Sequence, residues 1–339
     1  MPRVCIFPRA LNLGGVQSFQ HKMAAGLEGR GIEACFDLSD TPYDVILITG
    51  GTRRLGALHA ARRRGVRIVQ RLDGINWVHR RVKTGLRHYL RAEYGNFLMR
   101  TVRARLADHI IYQSDFARRW YEDWYGKTRL PWTVIHNGVD LQTYTPEGSG
   151  ERPPERIRLL VVEGNMGGGY EMGLEWAVRL AEQVSGLQPR PVELMVAGRI
   201  SAEQQTTWRD RSRFPILWAG MVPRERVPEL DRSAHLLFSA DLHPACPNSV
   251  IEALACGLPV VAFDTGSLAE LVTPEVGRVV PYGGDPWQVE PPDIPALAEA
   301  AVQVLADLPN YRKEARVRAE AAFGLERMVD GYLVGLLGK

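Results

Sequence analysis

The sequence is poor in cysteine and has no long apolar run, and each absence excludes a class of protein. Only four cysteines occur among the 339 residues, widely separated and without a C-x-x-C pair: Cys5, Cys35, Cys246 and Cys256. They are therefore predicted to be buried thiols in a reducing compartment, not a disulfide or zinc framework. No apolar stretch is as long as a membrane span, and the N-terminus does not resemble a signal peptide. We expect a cytoplasmic protein.

Motifs for metal ions and nucleic acids are missing as well. The sequence contains no Asp-x-Asp pair and no H-E-x-x-H motif, so no metal centre is predicted. It contains no recognisable nucleic-acid-binding motif either, so nucleic acid is not an expected partner.

The composition that is present is typical of a globular protein. Apolar residues make up 45% of the chain and charged residues 24%, as in soluble globular proteins generally. A chain of 339 residues exceeds what one hydrophobic core usually organises, so two domains are predicted.

Charge is divided unevenly along the chain. Residues 1–145 contain 23 Lys and Arg against 12 Asp and Glu, a net charge of +11, and residues 146–339 contain 19 against 27, a net charge of −8. Four basic residues recur at helical spacing and predict a positive ridge on one helix: Arg80, Lys83, Arg87 and Arg91. The alternative is an ordinary solvated surface. The excess of positive charge over the whole domain favours an anionic partner. This partner is either an anionic acceptor or the inner face of a membrane, with which the protein would associate peripherally.

The first half of the chain alternates short apolar segments with stretches long enough for helices. Parallel strands joined by crossover helices form a doubly wound sheet, which binds ligands at the carboxyl ends of its strands. Gly14 and Gly15 follow the first strand and would let a ligand approach the backbone. The predicted strands are rich in β-branched residues: 4–7, 45–48, 66–69, 109–112 and 133–135.

The most informative segment is residues 241–272, DLHPACPNSVIEALACGLPVVAFDTGSLAELV. It predicts a loop, a short helix that opens at Val250 with Ser249 as its cap, and a buried strand after Gly257. The free N–H groups at the helix start favour an anion, and Glu252 in the first turn offers a carboxylate to nearby hydroxyls. The segment is expected to bind a phosphate beside a sugar hydroxyl.

The string CPNSVIEALACGLPVVAFDTGSLAELV resembles the donor-binding segment of retaining glycosyltransferases of the family-four type, the glycosyl transferases group 1. The resemblance implies an α/β protein of GT-B fold, in which two Rossmann-like domains with doubly wound parallel sheets face each other across a cleft. In that family one Glu contacts the donor sugar and a second contacts the ribose. Glu252 matches the second, and Pro244 stands at the position of the first.

Residues of the first domain are assigned to the site by the same resemblance. Gly14 and Gly15 correspond to a glycine-rich loop of the family. Asp73 stands nearest to a His that this strand end supplies to the donor sugar, and we assign it with Glu252 to catalysis. The alternative is that Asp73 only begins a turn. Asn137 lies in an N-G-V-D loop that faces the cleft in the family, and a type I′ or II turn is predicted there.

The second domain departs from the family at the donor diphosphate. Where the family has an Arg and a Lys, this sequence has Asn165 and Met172. A run of three glycines before the helix would replace these cations with converging N–H groups, and Arg199 would supply a charge. The alternative is a flexible surface loop. The predicted donor-binding residues are Gly14, Gly15, Asn137, Gly167, Gly168, Gly169, Tyr170, Arg199, Asn248, Ser249 and Glu252.

The resemblance implies a retaining glycosyltransferase of the hexosyltransferase type, which moves a sugar from a nucleoside diphosphate sugar to a hydroxyl of a glycan, lipid-linked or small-molecule acceptor. Because the Asp-x-Asp pair of the metal-dependent architecture is absent, we predict no metal and no other cofactor. Two alternatives stay open, a sugar-nucleotide epimerase of the same architecture and a catalytically silent nucleotide- or glycan-binding relative.

The expected domain organisation has three parts. Residues 1–145 form a basic domain on the acceptor side, and residues 156–324 form the domain that binds the nucleotide sugar, after a linker rich in Pro and Gly. Residues 325–339 form a helix that crosses back to the first domain.

Overall fold

The computed structural model describes residues 2–11, 14–167 and 169–338, without the side chain of Asn165. The chain folds into two compact units. One unit consists of Met1–Gly138 and Leu325–Lys339, and the other of Val139–Gly324. Residues 139–145 therefore belong to the second unit, whereas the sequence placed them in the first. The backbone explains the difference, because the Val139 N–H donates to the Phe323 carbonyl, which lies in the second unit.

The first unit is built on a six-stranded parallel sheet with the order β2-β1-β3-β4-β5-β6. Its central strands are almost free of solvent contact. All five residues of β3 are buried, which is typical of a parallel strand covered by helices on both faces. The strands are β1 (Arg3–Phe7), β2 (Glu33–Cys35), β3 (Val45–Thr49), β4 (Arg67–Leu72), β5 (His109–Tyr112) and β6 (Trp132–Val134).

Five of these strands were predicted from the sequence and one was not. The missed strand, β2, is three residues long and pairs with β1 alone at the edge of the sheet. Its residues are Glu, Ala and Cys, and neither Glu nor Ala favours a strand. The pairing with β1 supplies the preference that the local sequence lacks.

Four helices of the first unit lie between its strands: α1 (Gly15–Glu28), α2 (Leu55–Arg63), α3 (Leu86–Arg105) and α4 (Asp115–Tyr125). The prediction of four basic residues on one helix is wrong. Arg80 ends a 3-10 turn, Val78–Arg80, and α3 begins only at Leu86, so Arg87 and Arg91 are the two that share it. Arg80 pairs instead with the Glu93 carboxylate, with its Nε 2.5 Å from Oε1.

The second unit contains another six-stranded parallel sheet, with the order β12-β11-β10-β7-β8-β9. Its strands are β7 (Ile157–Asn165), β8 (Val192–Arg199), β9 (Ile216–Gly220), β10 (Leu236–Phe238), β11 (Val260–Phe263) and β12 (Gly277–Val280). Its helices are α5 (Met172–Leu187), α6 (Ala202–Arg211), α7 (Val227–Ser233), α8 (Asn248–Ala255), α9 (Leu268–Leu271), α10 (Ile294–Ala306) and α11 (Leu308–Ala322).

Strands β7 and β8 approach each other unusually closely at their carboxyl ends. Their register shifts between Val162 and Asn165, and Gly198 lies at this irregularity with a φ of +144°. A Cβ at Gly198 would lie 1.9 Å from the Glu163 carbonyl oxygen. Only glycine combines this φ with this approach.

The last helix, α12 (Leu325–Leu337), belongs to the first unit. It packs on α1, where the rings of Tyr332 and Phe19 are 5.1 Å apart. The start of α12 is also held by an ion pair. Arg30, which lies in the segment after α1, binds the carboxylates of Glu326 and Asp330, each at 2.6 Å. No helix among the described residues combines the length and the apolar content that crossing a membrane requires.

Candidate functional site

Features that suit ligand binding gather at the carboxyl ends of β7 and β10 in the second unit. These neighbouring strands lie where the strand order reverses, and the connections leave them in opposite directions, which opens a crevice at the strand ends. A cavity of about 190 Å³ lies there. It is lined by Glu163, Met166, Tyr170, Gly173, Ala240 and Asp241.

Glu163 joins the two strands across this crevice. Its carboxylate accepts hydrogen bonds from the backbone N–H groups of Ala240 and Asp241. Helix α5 also packs against this segment, since a Cβ at Gly173 would lie 3.0 Å from the Ala240 carbonyl oxygen. The start of α5 and the segment just after β10 are therefore closely packed.

The two carboxyl groups of this cavity share an environment that favours protonation. Burial, and then the charge of Asp241, raise the pKa of Glu163 well above its usual range. Burial raises the pKa of Asp241 to about 6. Tyr170 stays protonated, since burial and then Asp241 raise its pKa further. The negative charge of the cavity therefore falls as the solution becomes more acidic.

We expect the affinity for a nucleotide sugar to increase as the pH falls from about 7.5 to about 5.5, because protonation of Asp241 removes a charge that repels a diphosphate. A nucleotide sugar is the right probe, since its diphosphate does not titrate in this range. Calorimetric titration across the pH series measures the effect, and Asp241→Asn should flatten the profile. An equal slope in the variant would contradict the assignment.

A larger cavity, of about 570 Å³, lies beside the loop between β7 and α5. It brings together Gly167 and Arg199, which the sequence assigned to the donor site. The loop is tied to β8, because the Met166 N–H donates to the Arg199 carbonyl at 3.1 Å. The other residues of its lining are Glu171, Ile200, Ser201, Glu203, Gln204, Thr207 and Trp208.

The glycine run fits the predicted anion site only in part. Gly168 lies outside the described residues. Gly169 has a φ of +105°, but its N–H donates to the Glu171 carboxylate at 3.0 Å. That N–H is therefore engaged within the loop. Tyr170 lines the smaller cavity, not the larger one.

Helix α8 starts two residues earlier than the sequence indicated. It begins at Asn248 with Pro247 at the cap position and no side-chain cap, so Ser249 is not the cap. Pro247 suits the position because its φ of −70° is the one its ring imposes. The N–H groups of Asn248 and Ser249 thus belong to the open first turn. The predicted end is confirmed, since Gly257 has a φ of +65° just after the helix.

The loop before α8 contains a feature that the sequence did not reveal. His243 has a φ of +59°, which is rare for a residue with a Cβ. Its ring stacks on the Trp287 ring, with 3.6 Å between the ring centroids and an angle of 13° between the ring planes. Burial lowers the pKa of His243 to about 4, so the ring is neutral at pH 7. Pro244 follows, and a Cβ at Gly266 would lie 2.5 Å from it. The position of the family's missing Glu is therefore tightly packed.

Glu252 lies deeper than the sequence predicted. It is the fifth residue of α8, not part of the first turn, and only 8% of its surface is exposed. Burial, and then the charge of Glu252, raise the pKa values of Tyr144 and of Asp231. Glu252 thus faces a buried acid. No pattern in the sequence of α7 marks Asp231 as buried, so the pair could not be predicted.

In the first unit, Arg71 connects two of the predicted residues. Its Nη2 donates to Asn137 Oδ1 at 3.1 Å, and its Nη1 is 3.8 Å from Asp73 Oδ2. The guanidinium lies over the Phe19 ring at 4.0 Å and is 2% exposed. Burial raises the pKa of Asp73, and Arg71 partly opposes the shift. Arg71 is therefore a buried positioning residue for Asp73 and Asn137.

The loop after β1 is held by a residue that the sequence reasoning missed. Gln20 of α1 donates to the Pro8 carbonyl at 2.7 Å and accepts from the Ala10 N–H at 2.9 Å. Gly15 begins α1, and Gly14 before it has extended backbone. Apart from its chain neighbours, no described residue has an atom within 4 Å of a Cβ built at Gly14.

The predicted turn at Asn137 is wrong. A type I′ or II turn needs a positive φ, and Gly138 does not have one. The carbonyl of Gly138 instead accepts from the buried Lys22 Nζ at 2.8 Å. The Val139 N–H, which would close a turn on His136, donates to the Phe323 carbonyl at 2.8 Å.

Within the ranges that the structure describes, no three His, Cys, Asp or Glu side chains lie close enough to hold a metal ion. Metal independence stays a prediction for the assay proposed below.

Two family models match the chain in succession. Residues 36–143 match Glycosyltransferase Family 4, and residues 158–307 match Glycosyl transferases group 1. The lipopolysaccharide core biosynthesis mannosyltransferase of Rhizobium leguminosarum is 27% identical over 240 residues, which are 66% of this chain and 62% of that protein. The chain spans 27% to 62% of the length of the curated relatives it matches.

Solved structures match over nearly the whole chain. Sucrose-phosphate synthase from Thermosynechococcus elongatus has a TM-score of 0.75 at 17% identity, covering 98% of this chain and 97% of that one. Anabaena HepE in complex with UDP-glucose has a TM-score of 0.68 at 16% identity, covering 97% of both. These likenesses show the GT-B fold that the sequence predicted. With one family model on each half and this fold, the chain belongs to the family-4 type of the group 1 glycosyltransferases.

Proposed function

We propose that the chain is a retaining glycosyltransferase that moves a hexose from a nucleoside diphosphate sugar to an acceptor hydroxyl. The observation that carries the proposal is the pair of cavities at the carboxyl ends of β7, β8 and β10. They lie where open parallel sheets bind nucleotides. The solved relative from Anabaena holds UDP-glucose, and this supports a nucleotide sugar as the donor.

The donor diphosphate is assigned to the larger cavity and the start of α8. Arg199 supplies a cation, and Gly167 lines the same cavity. Asn248 and Ser249 supply backbone N–H groups of the first turn of α8, which attract an anion. Glu252 accepts a hydrogen bond from the ribose. The smaller cavity is not assigned to the diphosphate, because the charge of its carboxyl groups repels phosphate.

The acceptor is assigned to the first unit, in which Gly14, Gly15 and Asn137 remain assigned to donor binding and Asp73 to catalysis. The Rhizobium relative is named for lipopolysaccharide core biosynthesis, and this supports a glycan or lipid-linked acceptor. The net charge of +11 over residues 1–145 favours an acceptor or a membrane surface that is anionic.

The proposed reaction needs no protein nucleophile. The acceptor oxygen forms a bond to the anomeric carbon on the face from which the diphosphate leaves, and the bond to the phosphate oxygen breaks. The departing phosphate takes the acceptor proton. Charge on the leaving group is stabilised by Arg199 and backbone dipoles, so turnover should survive excess chelator.

A catalytically silent relative is the second candidate. Pro244 replaces the family's Glu, and the carboxyl groups of Glu163 and Asp241 line a cavity at the donor site. Both features weaken anion binding or catalysis. An epimerase of the same architecture would instead consume the donor without any acceptor.

The deciding experiment has two stages. A panel of nucleotide sugars is screened by thermal shift, because a ligand that binds only the native state stabilises it in proportion to the logarithm of its concentration over Kd. The best donor is then incubated with glycan and lipid-linked acceptors, with and without chelator. Transfer with retention supports the proposal. Binding without transfer supports the silent relative, and donor conversion without acceptor supports the epimerase.

Glu252→Gln should weaken binding of the preferred nucleotide by about 1.5–3 kcal/mol, because it removes a charge-assisted hydrogen bond to the ribose. Calorimetric titration measures the change. Glu299→Gln, at an exposed position on α10 of the same unit, is the matched control. Equal affinity of Glu252→Gln and the native protein would remove Glu252 from the site.

A further inference from the structure

Helix α3 carries an apolar stripe that its own unit leaves uncovered. Four side chains follow one another at intervals of four, four and three residues, which keeps them on one face of a helix. Their exposed fractions are large for apolar residues: Leu86 75%, Leu90 59%, Tyr94 45% and Phe97 57%. Tyr89, beside them, is 41% exposed. Contiguous exposed apolar surface of this kind marks an interaction site.

The stripe does not belong to the core of the unit. The residues of α3 that pack inward are on other positions of the helix, among them Ala92, Leu98, Met99 and Val102. Apolar side chains thus occupy two faces of α3. A helix with apolar side chains on two faces lacks the single apolar stripe of an ordinary surface helix, which explains why the sequence pattern did not show this stripe.

The charge beside the stripe has one sign. Between residues 80 and 105 the sequence contains eight Lys and Arg and a single acid, Glu93. Arg80 and His79 both contact the Glu93 carboxylate, His79 at 2.8 Å. Arg87 and Arg91 are exposed on α3 itself. The surface therefore presents apolar and aromatic side chains within a positive field.

We propose that α3 is a docking surface for an anionic lipid bilayer, on which the helix lies parallel to the membrane plane. Leucine and phenylalanine side chains enter the boundary between headgroups and acyl chains, and tyrosines prefer the headgroup level. Arg87 and Arg91 bind anionic headgroups. This surface gives a defined location to the anionic partner of the proposed function.

A second copy of the chain is a poorer occupant of this stripe. In a symmetric dimer the same patch meets itself, so the arginines of one copy would lie close to those of the other. Like charges at an interface oppose association. An anionic bilayer removes this repulsion, whereas a second copy creates it.

The test compares binding to vesicles of phosphatidylcholine alone with binding to vesicles that also contain phosphatidylglycerol. The native protein should sediment with the second and not with the first. Leu90→Ser combined with Phe97→Ser should lower the partition coefficient by about tenfold or more. Arg87→Glu combined with Arg91→Glu should lower it by about a hundredfold, and added salt should weaken native binding.

Matched controls change equally exposed residues outside the stripe. Leu187→Ser with Val334→Ser alters two apolar side chains that are 50% and 54% exposed, and Arg211→Glu with Arg213→Glu alters two exposed arginines of the second unit. Both controls should bind vesicles like the native protein. Far-ultraviolet circular dichroism and thermal unfolding establish that all variants are folded.

Three outcomes would overturn the proposal. They are no binding to anionic vesicles at low salt, an equal loss of binding in the stripe variants and their controls, and a lipid-free dimer that Leu90→Ser with Phe97→Ser dissociates. Analytical ultracentrifugation tests the last. Because the vesicle assay contains neither donor nor acceptor, its failure leaves the proposed transferase activity to its own test.

Discussion

Gly198→Ala is expected to lower the free energy of unfolding by about 3 kcal/mol, combining backbone strain with overpacking. The new Cβ would lie 1.9 Å from the Glu163 carbonyl oxygen, at a φ of +144°. Strands β7 and β8 would have to separate at their ends, which would displace Glu163 and Arg199 together. Urea denaturation measures the loss, and donor affinity should fall in the folded fraction.

The matched control for this change is Gly186→Ala. Gly186 lies in α5, and a Cβ there would have no atom within 4 Å. Alanine in a helix is more favourable than glycine by about 0.5–1 kcal/mol, so the control should be slightly stabilised. If Gly198→Ala lowers the free energy of unfolding by less than about 1 kcal/mol, the ends of β7 and β8 can separate at little cost, which would contradict the prediction.

Arg71→Met is expected to destabilise the first unit by about 3 kcal/mol, because it removes the cation from a buried group of polar partners. Arg71 contacts Asn137, Asp73 and the Phe19 ring, and methionine keeps most of the volume without the charge. Arg71 opposes the rise in the pKa of Asp73, so that pKa should rise further in the variant.

The sign of the pH dependence follows from that shift. A carboxyl group whose pKa is raised in the folded state binds more protons than in the unfolded state, so stability falls as the pH rises through the folded pKa. The deficit of Arg71→Met should therefore be larger at about pH 8 than at about pH 5. Denaturation curves at both values measure it.

Two further variants make the Arg71 result specific. Adding Asp73→Asn to Arg71→Met should recover part of the loss and abolish its pH dependence, as expected for coupled neighbours. Arg179→Met removes an exposed partner of Glu175 and should change stability by no more than about 0.5 kcal/mol. If the loss of stability in Arg71→Met does not change with pH, the charge of Asp73 does not contribute to it.

The elements that were predicted correctly are those whose formation depends mainly on their own sequence. The five central and flanking strands were found because β-branched runs favour strands wherever helices cover both faces. The end of α8 was found because Gly257 adopts a conformation that glycine favours. The start of α8 was misplaced by two residues, since proline fits the cap position as well as the start of a loop.

The missed parts of the site depend on contacts between distant residues. His243 and Trp287, Asp231 and Glu252, and Lys22 and Gly138 meet only in the folded chain. Each places a polar or titratable group where its own neighbours in sequence give no reason for burial. Arg71 is a further example, since arginine is rarely buried and this side chain is only 2% exposed.

The chain leaves the first unit after Gly138 and returns at Leu325, and this path has a consequence during synthesis. The second unit is one continuous segment, so a ribosome delivers all of it before α12 appears. The first unit must wait for α12, whose Val329 packs against Gly26 and whose Tyr332 packs against Phe19. On the nascent chain the second unit therefore has its full set of residues first, while the apolar side of α1 that packs on α12 stays uncovered until α12 has been synthesised.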